Sequence, residues 1–414
     1  MSALPLAAPE TAQSSTATRP ASAFPATTAA VVALVVTALF VLTQLYAAIP
    51  LIAPISADLG GDSTFALSTA FSLSYAIGFL IWGPLADQYG HRRVLMIGLA
   101  ALAATTLGTA LSSTLPALGT LRALQGFTAA SFAPVALAYL AEAVHPRRRP
   151  LAIGAMSTAF LVAGVAGQVL ASTVALAIGW PWVFGLSGAI LVVCLGGVAV
   201  MLAEPQRPLR AGRLAQQFAA LARVARMPRM LLLAVAHLTL LLGFVAMYTA
   251  VGPHVETLGL DAAQVIWLRL AGLPGMFAAL AVGPLARRLG TDGVARLGFA
   301  IGAAGLVAEA LLSASLVGIA ATSLIYVVGV ALAIPAMITL FGETAAPQRA
   351  GGMALNGFVL FLGASLGPLV AAIGVPFPAL LSRLAGLALL AVLSLTVFAR
   401  PRRDDATRAP QRVA

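Results

Sequence analysis

Lysine is absent from the 414-residue chain, so its 24 strongly basic residues are all arginines. Without lysine the usual Gly-Lys-Ser/Thr phosphate loop cannot be built, which excludes the common form of ATP-driven work. The single cysteine, Cys194, lies in an apolar run, excludes an internal disulfide and favours core packing over reactivity. No clustered metal-ligand set and no Ser–His–Asp arrangement is present, so we predict neither a metal site nor an enzyme.

Charged residues are also scarce. They make up 9% of the chain against 60% hydrophobic residues, whereas soluble domains carry about 25% charged residues. So apolar a chain cannot cover its surface with polar groups, and we expect an integral protein of the plasma (inner) membrane with the lipid bilayer as its solvent.

The arginines are distributed unevenly along the chain. All but three of the 24 fall at the termini or in one set of alternating connections, and the opposite connections have none. This asymmetry predicts that both termini are cytoplasmic. It differs from the contiguous basic face of a nucleic-acid reader, so we expect no nucleic-acid partner despite the net charge of +11. The three exceptions, inside apolar runs, are Arg122, Arg269 and Arg383.

Apolar runs of roughly 19 to 27 residues, each long enough to cross about 30 Å of hydrocarbon, recur along the chain. A lone strand would leave its backbone unpaired in lipid, so each run is predicted to be a helix. We therefore predict an all-α membrane protein of twelve spans. In order they are 29–53, 66–86, 94–112, 117–141, 151–177, 182–203, 229–251, 263–286, 294–313, 317–340, 351–373 and 378–399.

The remaining segments are polar. Residues 204–228 form a central cytoplasmic loop in which Leu214, Phe218 and Leu221 recur at helical spacing. They predict an amphipathic helix on the cytoplasmic leaflet, or else a plain linker with arginine anchors. The predicted organisation is a disordered cytoplasmic segment (1–28), a six-helix bundle (29–203), the central loop (204–228), a second six-helix bundle (229–399) and a basic cytoplasmic tail (400–414).

The two bundles carry the same motif. Gly-Pro-Leu-Ala at 83–86 returns at 283–286, and Gly90 matches Gly290. Leu-Tyr-Ala-Ala-Ile at 45–49 is likewise mirrored by Met-Tyr-Thr-Ala-Val at 247–251. Two related six-helix halves around a long central loop are typical of secondary transporters, whose substrate site lies between the halves near the midplane.

These residues are where the chain resembles the major facilitator superfamily, in particular its bacterial twelve-helix drug and sugar efflux permeases. The stretch from Gly83 to Arg93 is similar to that family's motif between the second and third spans. Arg122-Ala-Leu-Gln-Gly126 in span 4 is similar to its Arg-x-x-Gln-Gly motif. The Gly-x-x-x-Gly-Pro motif of drug–proton antiporters is incomplete in span 5, where Gln168 replaces the proline, and complete in span 11, at 363–368.

The resemblance implies a gate in the loop after span 2. There Asp87 would hold the cytoplasmic side shut with neighbouring arginines and a helix N-terminus, a favourable contact for a carboxylate. The alternative is a solvated loop charge. The gating residues are Gly83, Asp87, Gly90, Arg92 and Arg93.

Arg122 is the most informative single residue. A guanidinium inside the membrane costs about 2.5–3.5 kcal/mol on insertion scales, so it needs a cavity or a partner. The resemblance implies that Arg122, with Gln125, takes part in proton coupling or substrate contact. The alternative is snorkelling to the membrane surface.

A proton-coupled carrier also needs a group that is protonatable near neutral pH. Glu309 in span 9 and His237 in span 7 are the two candidates, and neither is at the family's usual place. Arg269 in span 8 could pair with Glu309. Buried arginines with few buried acids would also suit an anionic substrate.

Spans 1, 4 and 7 line the cavity in the family that the chain resembles. Gln44, Tyr46 and Tyr248 are therefore candidate substrate contacts. Interhelical hydrogen bonds are the alternative for each.

We expect a secondary active transporter that works by alternating access. The favoured function is proton-linked efflux of a small organic compound, with the proton gradient as driving force and no cofactor. The alternatives are organic-anion uptake or exchange through the buried arginines and, remotely, a non-transporting membrane receptor. The expected partners are the small-molecule substrate and the bilayer, and we expect a monomer.

Overall fold

The computed structural model describes residues 26–145, 147–203, 214–259 and 261–400. Across these residues the secondary structure is helical and contains no strand. Eleven helical stretches among them are long and apolar enough to cross a membrane. The remaining one, His91–Thr109, has 19 residues and is less apolar because it begins with His91, Arg92 and Arg93. The predicted all-α, twelve-span membrane fold is confirmed. Most of the two predicted terminal segments lies outside the described residues.

The first half contains spans 1 to 6. Span 1 is broken at Ala47, span 2 begins with a π-helical turn, and span 4 is interrupted by a turn after Ala129. The helices are Thr28–Tyr46 with Ala48–Leu59 (span 1), Phe65–Thr69 with Ala70–Tyr89 (span 2), His91–Thr109 (span 3), Leu115–Ala129 with Ala133–Ala143 (span 4), Arg149–Ile178 (span 5) and Trp180–Met201 (span 6).

The second half contains spans 7 to 12 and follows a short linker helix, Leu214–Ala225. Span 8 has a 3-10 segment at its centre. The helices are Pro228–Thr257 (span 7), Ala262–Ala271 with Leu273–Ala281 and Val282–Leu289 (span 8), Thr291–Leu311 (span 9), Leu316–Thr344 (span 10), Arg349–Ala371 (span 11) and Phe377–Phe398 (span 12).

The repeat in the sequence is also a repeat in backbone geometry. Gly90 ends span 2 with φ +96°, and Gly290 ends span 8 with φ +76°. Glycine is the residue that takes this left-handed conformation at little cost, so it stops one helix and lets the next begin at once. The membrane side of these two turns also carries the arginine clusters, and we call it the arginine-rich side; the other is the arginine-poor side.

The halves meet mainly along spans 2 and 11, which lie side by side. Tyr75 of span 2 packs edge-on against Phe361 of span 11, with ring centroids 4.3 Å apart, and Phe79 covers the backbone of Gly357. Towards the arginine-poor side the Thr69 hydroxyl donates to the Ser365 carbonyl over 3.0 Å. Spans 1 and 7, and spans 5 and 8, make further contacts between the halves.

Close helix approach depends on particular glycines. A Cβ on Gly126 in span 4 would collide with the Phe71 carbonyl of span 2, and one on Gly363 in span 11 with the Leu238 carbonyl of span 7. Gly154 in span 5 faces open space instead. Small residues thus allow close backbone packing at some positions, and sequence does not distinguish these from the rest.

The linker helix Leu214–Ala225 is amphipathic and packs on the protein. Leu221 and Val224 rest against Gly351 at the start of span 11, and Val224 is 1% exposed. Phe218 and Arg223 are exposed. The helix also contacts span 2, so it lies beneath both halves on the arginine-rich side.

Candidate functional site

The first polar cluster surrounds Arg122, which is completely buried in span 4. Its Nε donates to the Leu67 carbonyl over 2.7 Å and its Nη2 to the Gln44 carbonyl over 3.0 Å. Both acceptors lie where a helix is irregular, at the π-turn of span 2 and just before the break in span 1. The guanidinium also lies over the Phe71 ring, 4.2 Å from its centroid.

Gln125 extends this cluster to span 3. Its Oε1 accepts from Arg122 Nη1 over 2.6 Å, and its Nε2 donates to Thr106 Oγ1 over 2.7 Å and to Gln44 Oε1 over 3.1 Å. The cluster therefore joins spans 1 to 4 through one arginine and two glutamines. All three guanidinium nitrogens of Arg122 have protein acceptors, so this side chain does not snorkel to the surface.

The second half has its own buried polar cluster, and this one contains an acid. Ser323 and Tyr326 in span 10 lie 201 positions after Arg122 and Gln125. Ser323 Oγ donates over 3.1 Å to Oε1 of Glu309 in span 9. Glu309 is 0% exposed, and its Oε2 has no hydrogen-bond partner among the described residues. The first half thus buries an arginine whose three guanidinium nitrogens all donate hydrogen bonds. The second half buries a glutamate that has a hydrogen-bond partner on only one of its two oxygens within the described residues.

Tyr248 of span 7 lies between the buried cluster around Glu309 and the interface between the halves. Glu309 and Arg269 both lie within electrostatic range of Tyr248, whose hydroxyl is buried against Gly272 and has no partner in the described part of the chain. Within the described part of the chain, Arg269 forms no ion pair with Glu309. Instead, its Nη1 donates across the interface to Ser172 Oγ of span 5 over 2.6 Å.

His237 belongs to a separate polar pair. Its Nε2 lies 2.8 Å from Nδ2 of Asn356 in span 11, and its ring packs on Phe341 with centroids 5.1 Å apart. The ring is fully buried, and Nδ1 finds no partner in the described residues. The pair lies within the second half, away from Glu309, and the structure does not bring the two candidate proton carriers together.

The repeat-related tyrosines meet at one phenylalanine. Tyr46 of span 1 packs edge-on against Phe244 of span 7 at 5.8 Å, and Phe244 packs on Tyr248 at 4.8 Å. Gly164 of span 5 leaves room beside Tyr46 and Phe244. Two candidate cavity residues, Tyr46 and Tyr248, are thus part of one aromatic group across the interface, while Gln44 serves the Arg122 cluster.

The residues of the loop motif after span 2 have different surroundings in the structure. Gly90 makes the turn, and Arg92 donates through Nε to the Leu202 carbonyl and through Nη2 to the Ala199 carbonyl, each over 2.8 Å. These carbonyls end span 6 and lack helical partners, so the guanidinium caps that helix. Asp87 is half-buried and makes no hydrogen bond or ion pair with the other described residues, while Gly83 borders open space and Arg93 is exposed.

Several residues of these clusters escape sequence reasoning. They are serines, threonines and aromatic residues that look like ordinary membrane-helix residues until the partner helix is known. Only the 201-position correspondence with span 4 could have drawn attention to Ser323 and Tyr326. The missed residues are Thr106, Ser172, Phe244, Ser323, Tyr326 and Asn356.

Two six-helix halves, a polar cluster buried in each and aromatic contacts between them define a membrane transporter rather than an enzyme. The model of the Major Facilitator Superfamily matches residues 34–368, most of the chain. The chain therefore belongs to the Major Facilitator Superfamily, and it is an integral membrane transport protein.

The relatives include an export protein and a multidrug resistance protein. The chain is 28% identical over 138 residues to the tetracenomycin C resistance and export protein of Streptomyces glaucescens. The aligned segment covers 33% of this chain and 26% of that protein. It is 30% identical over 131 residues to multidrug resistance protein 3 of Bacillus subtilis, covering 31% and 26%. The similarity thus spans about a quarter of each relative's length.

Solved structures support the fold. The chain superposes on a mutant of the nucleoside transporter NupG with a TM-score of 0.68 at 14% identity, covering 90% of this chain and 100% of that one. At this identity the likeness shows the shared fold alone.

Proposed function

We propose that the protein exports a small organic compound in exchange for protons, by alternating access between its two halves. The observation that carries the proposal is Glu309, a carboxyl group with no exposed surface and one oxygen without a partner in the described part of the chain. A permanent charge in such a site would be costly, so a carboxyl group that gains and loses a proton during the cycle is a good candidate for the coupling group.

The position of Glu309 suits proton entry from outside. It lies two residues before the end of span 9 on the arginine-poor side. By the positive-inside rule we assign the arginine-rich side, and with it both termini, to the cytoplasm. Glu309 would then exchange protons with the external medium when the halves open on that side.

Export is supported by the relatives. One relative above is an export protein by name and the other is a multidrug resistance protein, and the probable actinorhodin transporter of Streptomyces coelicolor is 26% identical over 162 residues. The aromatic group of Tyr46, Phe244 and Tyr248 between the halves would pack against planar, apolar compounds. We therefore propose an aromatic organic compound as the substrate class.

The test uses everted membrane vesicles with an imposed proton gradient. Tetracenomycin C, actinorhodin and ethidium are offered, and accumulation is measured with and without a protonophore. The wild-type protein should accumulate at least one compound only while the gradient persists. Glu309→Gln should bind that compound, measured by calorimetry, yet lose gradient-driven accumulation, because its side chain cannot ionise.

The matched control is Glu256→Gln, the same substitution at an exposed acid in the last turn of span 7. It should transport like the wild type. Accumulation that persists in the presence of the protonophore would overturn proton coupling. Full activity of Glu309→Gln would mean that another group carries the proton, and His237 would be the next candidate.

Organic-anion exchange is the second candidate, and Arg269 favours it. Its Nε has no partner among the described residues, whereas all three guanidinium nitrogens of Arg122 are bonded. An anion exchanger would show protonophore-insensitive counterflow of organic anions that Arg269→Gln abolishes.

A further inference from the structure

Four buried side chains lie on neighbouring helices between the core of the second half and the first half. They come from spans 9, 7, 8 and 5, in that order. The Tyr248 hydroxyl lies against Gly272, beside the backbone carbonyl of Arg269, and the charges of Glu309 and Arg269 both act on Tyr248. Arg269 Nη1 then donates over 2.6 Å to Ser172 Oγ, across the interface.

Three polar atoms of these four side chains have no hydrogen-bond partner among the described residues. They are Glu309 Oε2, the Tyr248 hydroxyl and Arg269 Nε, and all three residues are buried. Unpaired buried polar groups are costly, so an arrangement that leaves three of them on neighbouring helices suggests a second arrangement in which they pair.

Few other charged or titratable groups lie near Glu309. Span 10 presents Ser323 and Tyr326 to it. Span 12 carries Arg383, which is exposed. Asp261 caps the start of span 8 and is exposed. The remaining charged groups of spans 8 and 9 stand at the opposite end, where Asp292 pairs with Arg296 over 2.8 Å and Arg287 and Arg288 end span 8. His254 of span 7 bonds the Ser313 carbonyl.

We propose that Glu309, Tyr248, Arg269 and Ser172 form a proton-operated latch on the arginine-poor side. With Glu309 neutral, Arg269 stays on Ser172 and ties the halves together. When Glu309 loses its proton, the carboxylate draws the Tyr248 hydroxyl and the Arg269 guanidinium towards itself, and the bond to Ser172 breaks. Arg269 and Tyr248 keep their own protons throughout.

Opening of the arginine-poor side on loss of the Glu309 proton agrees with the exchange of an exported compound for protons. A proton taken up from the outside closes that side, and its release inside lets the substrate-loaded protein open outwards again. The latch rests on the proposed role of Glu309, and it assigns the transmission of its charge to Tyr248, Arg269 and Ser172.

The test measures the distance between spin labels at two exposed positions on the arginine-poor side. Ile178→Cys lies at the end of span 5, and Leu258→Cys follows span 7, in a Cys194→Ser background. Double electron–electron resonance in lipid nanodiscs is recorded under acidic and alkaline conditions. The background protein should show a short distance in acid and a growing long-distance population in alkali.

Each variant has its own expected pattern. Glu309→Gln should stay short at both pH values. Ser172→Ala should populate the long distance even in acid, by roughly fivefold over the background, the shift that losing one buried hydrogen bond produces. Tyr248→Phe should lose the pH response. Thr173→Ala is the matched control, because the neighbouring Thr173 is exposed and bonds only the Val169 carbonyl of its own helix.

The outcomes separate the latch from the proposed function. If Ser172→Ala and Tyr248→Phe respond to pH like Thr173→Ala while Glu309→Gln has lost proton-driven accumulation, the latch is wrong and Glu309 stands as the proton carrier. If Glu309→Gln still accumulates substrate in a gradient-dependent way, the latch fails and the proton carrier is another group; if accumulation ignores the gradient, proton coupling fails as well. A background distance that ignores pH also overturns the latch.

Discussion

Three arginines that look alike in sequence differ once the helices are placed. Arg122 is enclosed and bonded to carbonyl and amide oxygens, Arg269 bonds Ser172 across the halves, and Arg383 is exposed. A buried guanidinium is tolerated where helix irregularities supply acceptors, so the breaks near Gln44 and Leu67 and the arginine depend on each other.

Arg122→Met tests this dependence. It leaves the Leu67 and Gln44 carbonyls without their side-chain donor, at a cost of about 1–3 kcal/mol for each buried group left unpaired. We expect a melting temperature in detergent that is several degrees lower. Arg122→Lys should recover little, since an ammonium group cannot reproduce the planar fork.

Arg383→Met is the control, an arginine inside a span but exposed. It should melt close to the wild type. An Arg122→Met protein as stable as Arg383→Met would show that the cluster does not hold spans 1 to 4 together.

Asp87 keeps its predicted gating role as a hypothesis. Hydrogen bonds join the halves on the arginine-poor side, and Asp87, on the other side, has no hydrogen bond or ion pair within the described residues. Asp87→Asn should slow transport several-fold, with substrate affinity nearly unchanged, because a contact that favours one global state affects the cycle more than the site. Turnover and calorimetric affinity on the same preparation check this, and unchanged turnover would remove the role.

At the scale of helices, apolar runs predicted the spans, because only a helix satisfies its backbone in lipid, although spans 1 and 7 extend further at their C-terminal ends, to Leu59 and Thr257. Helix contacts were less predictable. Gly154 and Gly363 both look like packing glycines, yet only Gly363 touches another backbone.

Gly363→Ala and Gly154→Ala form a matched pair. The first places a methyl group against the Leu238 carbonyl, which cannot move without shifting span 7, and we expect a loss of about 1–3 kcal/mol in stability. The second enters open space and should be neutral or gain about 0.5–1 kcal/mol, because alanine favours a helix more than glycine does. Thermal denaturation in the same detergent compares them, and equal melting temperatures would contradict the packing.

At the scale of the molecule, the halves must part for transport, and their contacts on the arginine-poor side must break. Thr69 and Ser365 make one of these contacts, through the 3.0 Å hydrogen bond between spans 2 and 11. A covalent link at this position should hold that side closed.

The double variant Thr69→Cys/Ser365→Cys in the Cys194→Ser background tests this. Oxidation should cross-link the halves and abolish transport, and a reductant should restore it. Each single cysteine variant should transport regardless of oxidant. A cross-linked protein that still turns over would show that this side need not open.

The sequence by itself determined the solvent, the number of spans, the two-half repeat and the family, because hydropathy, arginine distribution and short motifs are local properties of the chain. It also pointed to Arg122, Glu309, Arg269, Tyr46 and Tyr248, since a charge or a repeated tyrosine in an apolar run is visible without coordinates. Only the tertiary structure decided which of these groups have partners. Ser172, Thr106 and Phe244 became part of the site because helices far apart in sequence pack together, and a hydroxyl or ring gains its role from the group placed opposite it.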